Sequence, residues 1–293
     1  MLERKKLVLV VAPLLWALLL WTNAGASQGR DARADEAVRL NNEAVDCVSD
    51  HQYDQAFQLL KRAIALRPDF AMAHYNLGRI YQVRDEFNFA AEEFEQTLSL
   101  NPSIKEAFYE LGLSYNRSQR YSDAIECLQH AVQIQPGRAE SFNELGFAYS
   151  QTERAQEAVT FFKEAIRFKP NFADAYNNLG VAYFKVGQIS EAIESLERAI
   201  RLTPRMASAH YNLAYTLSKA RRKKEAIESY KQALLLKPDF AEAHHNLALL
   251  YLERRQRSLA LECYASLKAI DYEMARKLFA IIYADKILNI KNQ

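Results

Sequence analysis

The sequence predicts an all-α protein, a right-handed α-solenoid of seven 34-residue helical hairpins with a C-terminal capping helix. Three observations support this prediction. Six of the seven prolines, from Pro68 to Pro238, are spaced 34 residues apart. The segment LRPDFAMAHYNLG at residues 66–78 returns as LKPDFAEAHHNLA at residues 236–248. Seven consecutive 34-residue windows, from Ala37 to Met274, align without insertion or deletion.

The N-terminal residues 1–26 have the composition of a secretory signal peptide. Three cationic residues at positions 4–6 precede an apolar run at residues 7–21, and a small-x-small site ends at Ala26. We therefore predict cleavage after Ala26 and export to a periplasmic, extracellular or lumenal compartment. An uncleaved membrane anchor over residues 7–26 is the alternative, because 20 residues without a charge can just span a bilayer.

Charge and composition after this segment favour a protein partner. Cleavage would remove three positive charges and one negative charge, so the formal net charge would fall from +2 to 0. A balanced chain is not expected to bind nucleic acid. Residues 27–36, SQGRDARADE, form a polar lead that is either flexible or the beginning of the first helix.

Within each window, which we number from place 1 to place 34, two amphipathic helices are predicted. Place 8 is always Ala or Gly and place 20 is always Ala, whereas places 7, 11 and 24 are mostly large and apolar. Spacings of three and four residues put these places on one face of each helix. The proline at place 32 ends the second helix, because proline lacks an amide hydrogen and clashes with the preceding turn.

These columns resemble the tetratricopeptide repeat. Residues 177–204, NNLGVAYFKVGQISEAIESLERAIRLTP, match its motif almost throughout, and the resemblance covers residues 37–274. It implies that the hairpins stack and share a continuous core in a right-handed solenoid.

Residues 275–293 are predicted to form a capping helix. Leu278, Ile281, Ile282 and Leu288 recur near helical spacing, so this segment is expected to cover the open end of the core.

We predict that the protein is not an enzyme and uses no cofactor, metal or small-molecule substrate. No phosphate-binding, dinucleotide, serine-hydrolase or zinc-protease motif is present. His74, His210 and His244 share place 4, where other windows carry leucine or an aromatic residue, so we interpret them as packing residues. Cys47, Cys127 and Cys263 lack metal-ligand spacing and are interpreted as buried thiols.

Place 6 provides the first candidate binding feature. In tetratricopeptide arrays the first helices line a concave groove, and places 2, 5, 6, 9, 12 and 13 would face it. Five windows carry asparagine at place 6: Asn42, Asn76, Asn178, Asn212 and Asn246. The ladder is similar to that of O-linked N-acetylglucosamine transferases, and this resemblance implies binding of a peptide backbone, although their catalytic domain is absent. Alternatively, these asparagines satisfy neighbouring turns or favour helix starts.

Aromatic residues at neighbouring places are the second feature. They supply contact area at low entropic cost, and the candidates are Tyr75, Tyr109, Phe147, Tyr211 and Tyr215. Place 2 is mostly acidic and place 13 is often basic, which predicts one acidic and one basic wall. Packing between neighbouring first helices is the alternative for about half of these aromatics.

A cationic edge is the third feature. The turns of the last two windows carry Arg221, Arg222, Lys223, Lys224, Arg254, Arg255 and Arg257. Stacking should place both turns side by side, where they would meet an anionic membrane surface, an acidic protein or a polyanion. A solvated edge without a ligand is the alternative.

Together these features predict an exported protein–protein interaction scaffold that binds an extended peptide or a partner helix in the groove. Two alternatives remain at this point. One is a structural assembly factor of an envelope or secretion complex that uses its convex face or edges. The other is a non-catalytic regulatory subunit that delivers an enzyme.

Overall fold

The computed structural model describes the backbone of residues 32–291 and the side chains of residues 32–283. The predicted signal segment at residues 1–26 therefore lies outside the described residues. The first helices of the seven hairpins are α1 (32–49), α3 (Ala71–Val83), α5 (Glu106–Arg117), α7 (Ala139–Gln151), α9 (Ala173–Lys185), α11 (Ala207–Lys219) and α13 (Ala241–Glu253). The second helices are α2 (Tyr53–Leu66), α4 (Phe87–Leu100), α6 (Tyr121–Ile134), α8 (Ala155–Phe168), α10 (Ile189–Leu202), α12 (Lys223–Leu236) and α14 (Arg257–Ile270). A final helix, α15, spans Tyr272–Lys291. The predicted all-α fold of seven hairpins and a last helix is confirmed.

The chain divides into two compact units after Cys127, within α6. In the first unit, helices α2 to α5 pack in chain order, and α3 also contacts α5. In the second unit, α7 to α15 pack in chain order, and each first helix contacts the next first helix. This pattern is that of a solenoid, in which each hairpin rests on its neighbours.

The small residues at places 8 and 20 let the two helices of a hairpin approach closely. The alanines at place 20 are fully buried. A Cβ atom added at Gly146 would lie 2.8 Å from the Phe162 ring, and one at Gly180 would lie 2.5 Å from Cγ of Leu196. Place 8 is therefore small because the large residue at place 24 occupies the adjacent volume.

The turns inside the hairpins share one backbone conformation. Place 15 has positive φ in all seven windows, with values between 57° and 81°. Only Gly187 among them is a glycine, and the other six windows carry side chains there: His51, Asp85, Gln119, Glu153, Arg221 and Arg255. A left-handed residue reverses the chain within a short turn, so the turn geometry repeats despite variable sequence.

The final helix takes the position of an eighth first helix. It contacts α13 and α14, and it buries Ala275, Leu278 and Ile282. It begins at Tyr272, and the expectation that Ile281 helps to cover the core is wrong, because this side chain is 48% exposed. Ile281 occupies place 7 of the next period, where a residue packs against the second helix of its own hairpin, and α15 has no such partner within the described part of the chain. The side chain of Leu288 lies outside the described residues.

At the other end, α1 already includes residues 32–36 of the polar lead. Arg39 forms ion pairs with Glu36 and Glu43, at 2.8 and 3.0 Å, along the surface of this helix. Such pairs at spacings of three and four residues stabilise a helix modestly.

The three cysteines are free thiols. Burial raises the pKa of Cys127 to about 12 and the pKa of Cys263 to about 11. Both side chains are therefore protonated near neutral pH and behave as small apolar groups.

The histidines at place 4 tie the proline turn to the first helix. Nε2 of His74, His210 and His244 lies 3.0, 3.0 and 2.9 Å from the carbonyl oxygen of the proline six residues earlier. In His74 alone of these three, Nδ1 also lies 2.6 Å from a carboxylate oxygen, that of Glu93 on α4. A carbonyl and a carboxylate both accept hydrogen bonds, so both ring nitrogens of His74 donate and the ring is an imidazolium. The hydrogen bond with Glu93 raises the pKa of His74.

This ion pair should make stability depend on pH. Because the folded-state pKa of His74 is raised, its contribution is complete below the unfolded value of about 6.5 and is lost as the pH rises through the folded value. We expect the stability advantage of the native protein over His74→Phe to shrink between pH 5.5 and 8.5 in urea unfolding followed by circular dichroism. His210→Phe, whose histidine has no carboxylate partner, is the control, and an advantage that stays constant with pH would contradict the assignment.

Candidate functional site

The candidate site lies on the first-helix face, which we define as the surface formed by places 2, 5, 6, 9, 12 and 13 of the first helices. In the second unit this face has a depression of about 270 Å³ between α9 and α11. Its lining is Val181, Phe184, Lys185, Tyr211, Asn212, Tyr215 and Thr216. All of these except Thr216 occupy the six places expected from the sequence, and Tyr211, Asn212 and Tyr215 are among the predicted binding residues.

Two aromatic rings form the wall of this depression. Phe184 and Tyr215 meet edge to face, with ring centroids 5.3 Å apart. Nζ of Lys219 lies 5.2 Å from the Tyr215 ring centroid, so a cation covers part of that ring. Both rings are half-buried, which leaves part of their surface for a ligand.

Tyr211 has a larger structural role. Its ring stacks on Phe240 at 4.6 Å and meets Tyr230 at 5.8 Å. Burial raises the pKa of its hydroxyl group, which accepts a hydrogen bond from Nδ2 of Asn246 at 3.2 Å. Tyr211 therefore lines the depression and also packs against the residues beneath it.

The asparagines at place 6 cross-link successive first helices. In four of the five, Nδ2 donates to the residue 35 positions earlier, at place 5 of the preceding window. The amide pairs are Asn76 with Asn41 at 2.8 Å, Asn178 with Asn143 at 3.1 Å and Asn212 with Asn177 at 2.9 Å. The fourth donor is Asn246, whose acceptor is the Tyr211 hydroxyl. The asparagine column therefore links neighbouring first helices, which is neither the predicted contact with a ligand nor the alternative contact with neighbouring turns.

These hydrogen bonds do not use every donor and acceptor group of the asparagine side chains. One amide proton of Asn212 is used by Asn177, whereas its second proton and its carbonyl oxygen have no partner within the described side chains. The carbonyl oxygen of Asn178 accepts from Asn177 at 3.3 Å, and that of Asn42 accepts from Asn41 at 3.3 Å. Asn212 is consequently the member of the column in the depression that can still pair with a peptide group.

Some side chains of the predicted acidic and basic walls already bond to other residues of the protein. Glu140 pairs with Lys169 at 2.8 Å, and this hydrogen bond lowers the pKa of Glu140. Nζ of Lys185 donates to the carbonyl oxygen of Ser150 at 2.6 Å. These contacts reduce the charge that either wall presents.

The first unit has a smaller and more aliphatic depression, of about 90 Å³. Its lining is Ala44, Val45, Val48, Leu60, Asn76, Arg79, Ile80 and Val83. Val45 and Val83 are 45% and 54% exposed. The three valines of this lining, Val45, Val48 and Val83, stand at places 9, 12 and 13 of the first-helix face, but they were not predicted as binding residues because valine carries no hydrogen-bonding group.

The other predicted residues are distributed over both units. Tyr75 packs edge to face against Phe94, with centroids 5.6 Å apart, and so belongs to the packing within its own hairpin. Tyr109 on α5 and Phe147 on α7 are half-buried in the first and second unit, respectively.

The two turns of the cationic edge adjoin each other in the second unit. Lys223 and Glu253 form an ion pair at 2.8 Å, which joins the turns of the last two hairpins. Arg222 pairs with Glu225 at 2.6 Å, and the guanidinium of Arg257 lies 4.6 Å from the centroid of the Tyr283 ring. The remaining cations of this edge are exposed: Arg221, Lys224, Arg254 and Arg255.

Among the residues that the structure describes, no helix combines the length and the apolar character needed to cross a membrane. The same residues also contain no cluster of three or more histidine, cysteine or acidic side chains that could hold a metal ion.

The repeated hairpins define a tetratricopeptide-repeat protein, as their place-by-place geometry shows. The chain belongs to the family described as Cilia and flagella-associated protein 70 C-terminal domain, whose model matches residues 18–250. Among curated proteins, none matches the sequence.

Solved structures share the fold. The APC/C hetero-tetramer Cut9–Hcn1 is similar, with a TM-score of 0.68, 19% identity and coverage of 82% of this chain and 48% of that chain. This chain thus spans about half the length of that relative. PilF of Pseudomonas aeruginosa has a TM-score of 0.58 and 20% identity, over 78% of this chain and 98% of its own. YrrB, a TPR protein with an unusual peptide-binding site, has a TM-score of 0.52 and 22% identity, over 64% of this chain and 96% of its own. Membership of this repeat family supports a general protein-binding role.

The bond between Asn212 and Asn177 should contribute measurably to stability. In a double-mutant cycle with Asn177→Ala and Asn212→Ala, we expect a coupling free energy of about 0.5–1.5 kcal/mol in urea unfolding, because one partly buried hydrogen bond is removed. The matched cycle pairs Asn76→Ala with Asn212→Ala, because Asn76 bonds to Asn41 in the first unit and shares no partner with Asn212, and it should give no coupling. Equal coupling in both cycles would argue against a specific bond.

Proposed function

We propose that this protein is an interaction scaffold whose second unit binds an extended peptide segment or a partner helix on the first-helix face. One observation carries the proposal: aromatic, amide and cationic side chains converge on the depression between α9 and α11. Apolar surface with a few convergent polar groups is typical of a binding site.

The depression suits one large apolar side chain of the ligand. Phe184 and Tyr215 would contact that side chain, because their edge-to-face packing leaves an apolar cleft beside Val181. The unused amide groups of Asn212 would pair with the adjacent peptide group of the ligand. In this arrangement, burial of the ligand's apolar side chain supplies affinity, and the Asn212 amide orients the ligand.

The proposed role is to bind and position a partner, without catalysis. The contacts found on this face are hydrogen bonds between helices and ring packing, which hold a surface in shape. We propose no cofactor, metal or small-molecule substrate for it.

A photocrosslinker can test the site directly. We expect p-benzoylphenylalanine at Val181, within the depression, to trap a partner in the native compartment. The same group at Leu235, which is 74% exposed on α12, should not trap it. Tyr215→Ala should weaken capture by about tenfold, the usual cost of losing one aromatic anchor.

The control for this variant is Tyr272→Ala, because Tyr272 is 63% exposed on α15 and lies outside the depression. Capture that is equal from both crosslinker positions, or that survives Tyr215→Ala, would reject the site on the first-helix face.

We further propose export, which rests on the sequence of residues 1–26. Both tryptophans, Trp16 and Trp21, lie in this segment. The mature protein isolated from its own compartment should therefore have the intact mass of a chain that begins at Ser27, and it should show no tryptophan emission. A retained segment with indole fluorescence would favour the membrane-anchored alternative.

A structural assembly role is the second candidate, and the cationic edge favours it. Two neighbouring turns present exposed cations, and these turns lie at the ends of the helices that form the first-helix face. Charge reversal at Arg255 would weaken an assembly that uses this edge and would spare one that uses the depression.

A further inference from the structure

Successive hairpins bring two particular turn positions into contact. Place 14 of one window meets place 18 of the window before it. In the first unit these places hold Arg84 and Asp54, and Nη2 of Arg84 lies 2.5 Å from Oδ1 of Asp54. The repeat therefore has a position for an ion pair between neighbouring turns.

In the second unit the charge at the same two places changes from window to window. They hold Gln156 with Val186 and Ser190 with Ala220, which carry no charge. In the last two windows they hold Lys224 and Arg254. Two cations thus occupy the positions that form an ion pair in the first unit.

The acidic groups near these cations already form ion pairs with other basic side chains. Lys223 pairs with Glu253 at 2.8 Å, Arg222 pairs with Glu225 at 2.6 Å, and Lys231 pairs with Glu228 at 2.9 Å. Lys224 and Arg254 have no acidic partner among the side chains that the structure describes. Two like charges held close together repel each other, and a bound anion between them would relieve that repulsion.

Both cations also line a pocket of about 290 Å³ between α12, α13 and α14. Its other lining residues are Ile227, Tyr251, Leu259, Gln256 and the ion-paired Glu228 and Lys231. The pocket therefore combines charged groups with one aromatic ring and two aliphatic side chains. A ligand that fits it carries an anionic group beside an aliphatic group.

We infer that this pocket binds an acidic peptide segment of a protein partner. A side-chain carboxylate of the segment bridges Nζ of Lys224 and the guanidinium of Arg254, and a neighbouring aliphatic side chain packs on Ile227 and Leu259. Guanidinium groups bind carboxylates through paired hydrogen bonds, which favours a carboxylate at this position. This second site is separate from the depression between α9 and α11 and does not depend on it.

The surroundings favour a peptide over a lipid surface or a nucleic acid. Residues 219–224 and 253–257 include no exposed large apolar side chain that could enter a bilayer. Glu225, Glu228 and Glu253 interrupt the cations, whereas a polyanion needs a continuous cationic track.

The substitution Lys224→Asp tests the inference, because it recreates the acid–base pair of the first unit. The probe is a fluorescein-labelled dodecapeptide that repeats Glu-Leu-Gly, and fluorescence anisotropy measures its binding to the full chain. We expect saturable binding that Lys224→Asp weakens at least tenfold. We also expect this variant to raise the melting temperature by about 1–4 °C, since it replaces repulsion with an exposed ion pair.

Controls separate a specific site from general electrostatics. Lys268→Asp makes the same charge change at an exposed residue of α14 and should leave the affinity nearly unchanged. A peptide with glutamine in place of glutamate should not bind, and Tyr215→Ala should bind the acidic peptide normally.

Three results would overturn the inference. The first is no saturable binding of the acidic peptide above the level of the glutamine peptide. The second is an equal loss of binding in Lys224→Asp and Lys268→Asp. The third is Lys224-dependent binding to vesicles of phosphatidylcholine and phosphatidylserine without binding of the peptide, which would assign the pocket to a membrane surface.

Discussion

The close contact between the two helices of each hairpin is the constraint on which the rest of this structure depends. Alanine at place 20 is fully buried in every window, and glycine or alanine at place 8 leaves the volume that Phe162 or Leu196 fills. Because this contact recurs with the same 34-residue period, every hairpin presents the same places on the same face. A bulkier residue in either column would separate the two helices of its hairpin and shift the surface side chains that this hairpin presents.

Such repetition makes the differences between windows informative. Equivalent places hold Val45 in the first unit and Val181 and Tyr215 in the second, so one depression is aliphatic and the other is partly aromatic. Equivalent turn places hold an ion pair in one unit and two cations in the other. Since the backbone is constant, each difference reflects a change in surface chemistry, and such changes are where binding specificity can reside.

Polar side chains between first helices connect the fold to the proposed role. The asparagine contacts tie successive helices through side-chain hydrogen bonds, which keep the first-helix face in a fixed shape. A fixed surface loses little entropy when a ligand binds. Asn212 combines both functions, because one amide proton holds the neighbouring helix while its other groups remain for a ligand.

The sequence by itself determined the all-α class, the seven hairpins and the places that form the first-helix face, because a strict 34-residue period fixes which side chains face the same way. Tertiary structure decided how those side chains are used. Asn178 and Tyr211 proved to bond to neighbouring helices, Ile281 remained exposed, and Val45 and Val83 formed an unexpected depression. Periodicity reports only the direction of a side chain, whereas its hydrogen bonds and its exposure depend on distances to residues in the next hairpin.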